Sequence, residues 1–251
     1  NVQDGNAAEI ASTSKMTVFA NAESSASSVA LNGNSNTALG VINNAVNSIG
    51  VSAVTLDGSA TVGGIVAGTN TTTADYALNS VQGASGTLAS TARTDISNLD
   101  FASTDNTGIT GSAITMTGNA TTAEGSANRV SNALSASATD NGATAGLNSS
   151  QASAAGVTVN ATSSVGYGLA SLLAVVPATD SSISVDGNST TALARGNSAS
   201  NALNYNVGAS YTGNTGATIT GVASVDATAA VLNAQTNSGD CSFSPYRQFL
   251  S

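Results

Sequence analysis

The chain has 251 residues with a formal net charge of −9, and only 8% of its residues are charged and 4% aromatic. Five Lys and Arg are too few for the clustered phosphate contacts of a nucleic-acid interface, and the acidic balance disfavours anionic membrane surfaces. We therefore expect no nucleic-acid partner. No apolar run reaches the roughly 18 residues of a transmembrane helix, so we also expect no membrane insertion. The apolar residues are mostly Ala, Val, Leu and Ile, which favours a narrow core over that of a compact globule.

Residues 1–20 show no clear repeat, and residues 1–24 are predicted to be a lead-in to a repeat domain at residues 25–239. The chain opens on Asn1 without a signal peptide, as expected for a processed, exported protein, although a trimmed chain would look the same. We therefore expect an extracellular protein at the cell surface, present as a mature chain after signal removal.

Three segments align without gaps, at residues 29–49, 114–134 and 183–203. Each carries a Gly-Asn pair that we predict to form a corner, an Ala five positions after the Gly, and two further Asn. The corner pairs are Gly33-Asn34, Gly118-Asn119 and Gly187-Asn188, and the later positions are Ala38, Asn43 and Asn47, Ala123, Asn128 and Asn132, and Ala192, Asn197 and Asn201. Asn tolerates the left-handed conformation of corners. Asn side chains in register also form amide ladders in stacked strands, so turn use and laddering are both open.

Weaker copies of the start of the repeat, in which apolar residues precede a Gly or Ala, end at Gly58, Gly83, Ala161 and Gly213. The steps from Gly33 to Gly58 and on to Gly83 are 25 residues each, and those from Ala161 to Gly187 and on to Gly213 are 26 each, whereas the step from Gly83 to Gly118 is 35. A fixed period in this range is typical of stacked repeats. Alternating apolar residues between Gly, Asn and Ser predict short strands and turns. We therefore predict an all-β fold, a parallel β-solenoid with turns of about 25 residues, and roughly ten turns in a rod about 50 Å long. A register slip is expected around residues 95–108.

Residues 240–251 differ in composition from the rest and contain Phe243, Tyr246 and Phe249. We predict a C-terminal tail that either caps the last turn of its own chain or docks on a neighbouring subunit as an added strand. The three aromatic residues are the candidate assembly residues. Cys241 is the only cysteine, so it is either an inert thiol or pairs between chains.

No catalytic, cofactor-binding or metal site is predicted, and no cofactor. The chain contains no His, which excludes Ser-His-Asp catalysis and His-ligated zinc. Asp95, Asp100 and Asp105 recur every five residues, and Asp180 and Asp186 flank a strong repeat. Such carboxylates are the best basis for a carbohydrate-active site or for weak calcium binding, but solvated turn Asp is the simpler interpretation.

The Gly-Asn-x-x-x-Ala motif with spaced Asn and almost no charge resembles bacterial surface proteins built from β-strand repeats. Curlin-type fibre subunits, holdfast-anchor proteins and solenoid adhesins are of this kind. The resemblance covers most of residues 25–235 and is one of style. Curlin repeats carry regular Gln, whereas Gln is rare here. The resemblance implies a role in a cell-surface fibre, biofilm matrix or adhesion, and it supplies no individual functional residues.

We therefore expect an extracellular structural protein, a self-assembling subunit of a surface filament or matrix fibre. Its expected partner is the chain itself, joined head to tail, because low charge leaves little repulsion between copies. One alternative is a monomeric adhesin that binds surface glycans, or an ice-binding β-solenoid in which Thr37, Thr122 and Thr191 share one repeat offset. An extracellular carbohydrate-active enzyme is a weaker alternative.

Overall fold

The computed structural model describes residues 1–19, 28–53, 60–65, 69–98, 109–138, 144–167, 178–207, 217–220, 225–227 and 229–249. Every helix or strand within these ranges is a β-strand, which confirms the all-β prediction. The strands are β1 (Val2–Phe19), β2 (Ser28–Asn32), β3 (Ser35–Ala53), β4 (Ala60–Ile65), β5 (Thr69–Ala74), β6 (Tyr76–Asn98), β7 (Ile109–Thr110), β8 (Ala113–Thr117), β9 (Ala120–Ala138), β10 (Ala145–Ser153), β11 (Gly156–Tyr167), β12 (Ala178–Thr179), β13 (Ser182–Asp186), β14 (Ser189–Val207), β15 (Ala217–Thr220), β16 (Val225–Ala227), β17 (Ala229–Asn237) and β18 (Cys241–Phe249).

Most of the strands lie in three parallel sheets, which confirms the predicted parallel pairing. Sheet A contains β1, β6, β10, β11, β17 and β18; sheet B contains β2, β8 and β13; sheet C contains β3, β9 and β14. Along the chain, a strand of sheet A is followed by one of sheet B and one of sheet C before the chain returns to sheet A. The short strands β7 and β12 pair with each other. Sheet D is antiparallel and contains β4, β5, β15 and β16.

The three aligned sequence repeats stack directly on one another. In sheet C, Ala38 pairs with Ala123, which pairs with Ala192. Equivalent residues are 85 and then 69 residues apart, so the predicted turn of about 25 residues and the count of roughly ten turns are wrong. The predicted period was too short because two of the weaker copies do not end at a corner. Gly83 lies inside β6 and Ala161 inside β11, both in sheet A. Gly58 and Gly213 lie outside the described residues.

Insertions explain the unequal spacings. The chain passes from β9 to β10 through a short connection, but β4 and β5 lie between β3 and β6, and β15 and β16 lie between β14 and β17. These inserted strands form sheet D, which packs on one half of sheet A through a cluster of buried residues. The members of this cluster are Ala74, Ala77, Ile219 and Ala230. The insertions therefore lengthen the interval between levels without changing the stacked strands.

The core between sheets A and C is thin because its side chains are small. Ala123 and Ala127 of β9 are fully buried against Leu88, Val157 and Val159 of sheet A. Gly125 lies among the same residues, and a Cβ there would come within 2.8–2.9 Å of Leu88, Val159 and Val157. Sheet C thus approaches sheet A closely only because Ala and Gly face it, which accounts for the shortage of large rings.

Strands also form at both ends of the described chain. The predicted lead-in contains β1, which pairs with β6 over most of its length, with an irregularity between Ala7 and Ile10. The predicted tail contains β18, which pairs with β11 of the same chain. Residues 20–24 and 250–251 lie outside the described residues.

Candidate assembly surfaces

The Gly-Asn pairs lie at a turn between sheets B and C. Gly33, Gly118 and Gly187 have φ values of +68°, +64° and +64°, a region that glycine enters without the steric cost of a Cβ. The Gly33 amide donates to the Thr117 carbonyl, and the Gly118 amide to the Asp186 carbonyl, both at 2.9 Å. The same turn is therefore repeated and hydrogen-bonded from one level to the next.

The Asn residues of this turn form an amide ladder. Asn34 Nδ2 donates to Asn119 Oδ1 (3.1 Å), and Asn119 Nδ2 donates to Asn188 Oδ1 (2.8 Å). Asn119 Nδ2 also donates to the Leu31 carbonyl (2.6 Å), and Asn188 Nδ2 to the Met116 carbonyl (2.6 Å). Both of the predicted uses of these Asn residues, at the turn and in a ladder, therefore occur together.

Two more ladders run through sheet C. Asn43 Nδ2 donates to Asn128 Oδ1 and Asn128 Nδ2 to Asn197 Oδ1, both at 2.8 Å. In the second ladder the contacts are Asn47 to Asn132 and Asn132 to Asn201, again at 2.8 Å. The first ladder is buried, with Asn128 fully inaccessible to solvent, so its amides need these partners to offset their desolvation.

Sheet A carries a glutamine ladder, which the sequence analysis missed. Gln82 Nε2 donates to Gln3 Oε1 (2.6 Å), Gln151 to Gln82 (2.7 Å) and Gln235 to Gln151 (3.0 Å). Its members are 79, 69 and 84 residues apart, the same spacings as the paired strands of sheet A. Four of the five Gln in the chain stand in this column, and their spacing was the signal that could have identified it.

In the Asn43 ladder and in the Gln ladder, a second hydrogen bond to a backbone carbonyl fixes the direction. Asn43 Nδ2 donates to the Gly83 carbonyl and Asn128 Nδ2 to the Ala152 carbonyl (2.9 Å), so the amide nitrogen must face sheet A. Gln82 and Gln151 are fixed in the same way by the carbonyls of Arg129 and Ser198, in sheet C. The Asn ladders therefore donate from β3 toward β14, and the Gln ladder donates in the opposite direction.

The two ends of the stack consequently have opposite hydrogen-bonding character. On the β14 end, Asn201 accepts from Asn132 and donates no hydrogen bond within the described part of the chain. On the β3 end, Asn47 donates to Asn132, and its Oδ1 is an acceptor that is held by Asn1 Nδ2 (2.7 Å). An Asn donor end and an Asn acceptor end are complementary, whereas two like ends are not.

The predicted assembly residues all lie in β18. Phe243 is 66% exposed although it stands in the column of Val159, which is fully buried. Cys241 is a free, exposed thiol on the same strand. Tyr246 and Phe249 belong to β18, but their side chains lie outside what the structure describes. The structure thus places one exposed ring and one thiol at the edge of sheet A.

The candidate carboxylates are dispersed. Arg93 Nε lies 3.2 Å from Asp95 Oδ1, which also accepts from Thr17 (2.9 Å). Asp180 and Asp186 are exposed, and Asp100 and Asp105 lie outside the described residues. No group of three or more potential metal ligands occurs among the residues that the structure describes. A cleft of about 270 Å³ beside the ends of β10 and β17 has Asp4 as its only charged lining residue.

Thr37, Thr122 and Thr191 stand in one column of sheet C, each paired with the next. The first and third are exposed and the second is half-buried. The neighbouring columns on this face mix other residue types, such as Leu39, Glu124 and Leu193, so the threonines form a single file rather than a flat array.

No membrane-length apolar helix occurs in the described ranges. Comparison of the chain with protein-family models found no match, and searches of curated proteins and of solved structures found no significantly similar protein.

Proposed function

We propose that the chain is a β-solenoid that serves as an extracellular structural subunit and assembles head to tail into a surface filament or matrix fibre. In this proposal one coil of the solenoid comprises one passage through sheets A, B and C, with 69 to 85 residues per coil. The observation that carries it is the opposite polarity of the two ends of the Asn ladders in sheet C. Contacts between unlike ends are heterologous and propagate into open polymers rather than closed dimers.

The composition of the surface supports the same function. With five Lys and Arg and 14 Asp and Glu in 251 residues, copies repel one another weakly. The edges of β3 and β14 each have one hydrogen-bonded neighbour within the described part of the chain, β9 in both cases. Unpaired parallel edges are templates for further strands. The exposed Phe243 adds an apolar contact beside the β14 edge.

Asn201→Asp tests the proposal because it keeps the size of the side chain and replaces the outgoing donor by a charged acceptor. The carboxylate keeps an oxygen that accepts from Asn132, and it replaces the outgoing amide donor by an acceptor. A second copy that offers the Asn47 oxygen then meets a negative oxygen. Asn204→Asp is the matched control, because Asn204 is exposed on the same strand and adds the same charge outside the ladder.

Wild type and the Asn204→Asp variant are expected to form filaments in negative-stain micrographs and concentration-dependent species in sedimentation velocity. The Asn201→Asp variant is expected to remain as single copies. Wild type that stays monomeric at high concentration would refute the proposal. Equal assembly by all three proteins would show that the ladder ends do not form the joint.

A further inference from the structure

Sheet A is one strand level taller than sheets B and C. Level one contains β1, β2 and β3; level two contains β6, β8 and β9; level three contains β10, β11, β13 and β14. Level four contains β17 and β18, and no strand of sheet B or C stands at that level within the described residues. The β14 end of the stack is therefore a step rather than a flat surface.

The inner row of level four is uncovered as a result. Phe243 is 66% exposed and Val231 is 44% exposed, although Val159 and Leu147, which stand in the same columns at level three, are fully buried. These columns face sheet C, because Val159 packs against Gly125. A fourth strand of sheet C, paired with β14, would cover these side chains.

A rigid second copy cannot continue all three sheets at once. If its β3 pairs with β14, its β1 falls on level four of sheet A, which β17 and β18 already occupy. If its β1 stacks on β17 and β18 instead, sheets B and C each lack one strand. That vacancy would leave backbone groups without partners in the middle of the joint, which is costly where water is excluded.

We propose that two copies join by strand exchange, in which β1 of the second copy is released. The strands β2 and β3 of the second copy pair with β13 and β14 of the first, and β17 and β18 of the first copy replace β1 on β6 of the second. The partner is a second copy of this chain, and the inference rests on the self-assembly proposed above.

The donor and acceptor groups at the ends of the Gln ladder fit this exchange. Within one copy, Gln82 donates to Gln3 of β1 (2.6 Å). Gln235 stands in the same column and donates to Gln151 (3.0 Å), and its Oε1 accepts no hydrogen bond within the described residues. Gln235 of the first copy therefore takes the place of Gln3 as acceptor for Gln82 of the second copy, in the direction in which the ladder already runs.

Release of β1 also uncovers the acceptor end of a sheet C ladder. Asn1 immediately precedes β1 and donates to Asn47 Oδ1 (2.7 Å). When Asn1 leaves with β1, Asn47 of the second copy becomes the acceptor for Asn201 of the first. The same segment that blocks level four thus also covers the Asn acceptor, and one movement removes both obstacles.

Ile42 opposes the exchange. Gly5 of β1 lies over Ile42 and Asn43, where a Cβ would overlap both side chains. Asn237 stands in the column of Gly5, through Ala84 and Ser153, so it replaces Gly5 in the exchanged joint. Ile42 must change rotamer and the Asn43 side chain must shift to admit it. The smaller residues Ala127 and Gly196 occupy the corresponding positions of β9 and β14.

A disulfide between β1 and β6 tests the release of β1. Thr13 and Thr91 are register partners on these strands, and neighbouring strands are about 4.8 Å apart, within the Cα range of a disulfide. The variant carries Thr13→Cys and Thr91→Cys with Cys241→Ser. We expect the oxidised protein to remain as single copies in sedimentation velocity and the same protein to assemble after reduction. The reduced protein is its own control.

Equal assembly of the oxidised and reduced forms would overturn the exchange and leave the proposed self-assembly intact. Absence of assembly in the reduced form, in the Cys241→Ser parent and in wild type would refute the self-assembly itself, and the exchange with it. The two failures are therefore distinguishable.

Ile42→Ala provides a second measurement. It removes the Ile42 part of the overlap with Asn237 and loosens β1, so assembly at a fixed concentration is expected to be about tenfold faster than in wild type. Ile49→Ala is the control, because Ile49 is another partly buried residue of β3, in a separate cluster with Leu78 and Leu147. An unchanged or slower rate for Ile42→Ala would overturn the proposed position of Asn237.

Discussion

Asn128→Asp tests whether the amide ladders stabilise the fold. Asn128 is fully buried and makes three side-chain hydrogen bonds. It accepts from Asn43 (2.8 Å) and donates to the Ala152 carbonyl (2.9 Å) and to Asn197 Oδ1 (2.8 Å). A carboxylate has nearly the same shape and keeps the first bond, but it cannot donate. It would face two acceptor oxygens inside the core.

The expected loss is about 3–6 kcal/mol of unfolding free energy at pH 7, because two buried bonds to a fully desolvated group are lost and a charge is left without a positive partner. Burial beside two acceptors raises the folded-state pKa of the new carboxyl above its unfolded value of about 3.9. A raised folded pKa favours the folded state below the unfolded pKa, and this contribution is lost as the pH rises. The penalty relative to wild type should therefore shrink toward pH 4, where the carboxylic acid donates one hydrogen bond again.

The assay is urea unfolding followed by circular dichroism at pH 4 and pH 7, with wild type measured at each pH. Asn206→Asp is the control, because Asn206 is exposed on β14, and its effect should stay within about 0.5 kcal/mol. If Asn128→Asp does not fold at pH 7, recovery of folding at pH 4 is the expected result. A penalty below about 1 kcal/mol, or one that does not change with pH, would refute the stabilising role of the ladder.

Three further predictions concern packing, backbone conformation and association. Gly125→Ala should lower the free energy of unfolding in urea by about 1–3 kcal/mol, because its Cβ meets Leu88. The control Gly50→Ala, with open space around it, should change it by no more than about 0.5 kcal/mol. Equal effects would contradict the close approach of the sheets. Gly118→Ala should lower the free energy of unfolding by about 1–2 kcal/mol because φ is +64°. Gly118→Asn should lower it clearly less, and a larger loss for Asn than for Ala would argue against strain at this turn. Phe243→Asp should leave the thermal midpoint of the single copy nearly unchanged, since the ring is 66% exposed, and should weaken association about tenfold or more in sedimentation velocity; unchanged association would exclude Phe243 from the joint.

The all-β class, the parallel sheets and the stacked segments could be predicted because they depend on local patterns. Alternating apolar residues indicated strands, the aligned Ala and later Asn positions pair in sheet C, and the aligned Gly-Asn pairs stack at the turn before it. The spacing between levels could not be predicted from short motifs, because apolar residues followed by Gly occur before corners and also inside a strand of sheet A. The insertions that form sheet D further varied the interval between levels.

The strand β1 was missed because it lacks the Gly-Asn corner and contains an irregularity between Ala7 and Ile10. Its relation to β6 is nevertheless visible. Val2-Gln3 matches Val81-Gln82, and Ala11-Ser12-Thr13 matches Ala89-Ser90-Thr91, and these residues pair in the structure. The irregularity changes the register by one residue, which breaks a gapless alignment. The step between sheets depends on the whole topology and has no counterpart in any one segment.

The unequal intervals between levels have a mechanical consequence. Force applied along the stack would load the hydrogen bonds between levels, so strands would detach one level at a time. An interval of 69 residues would release about 240 Å of extended chain, and an interval of 85 residues about 290 Å, because the inserted strands unravel with it. A fibre of such subunits would lengthen under tension in steps of two sizes and dissipate work without breaking its covalent chain.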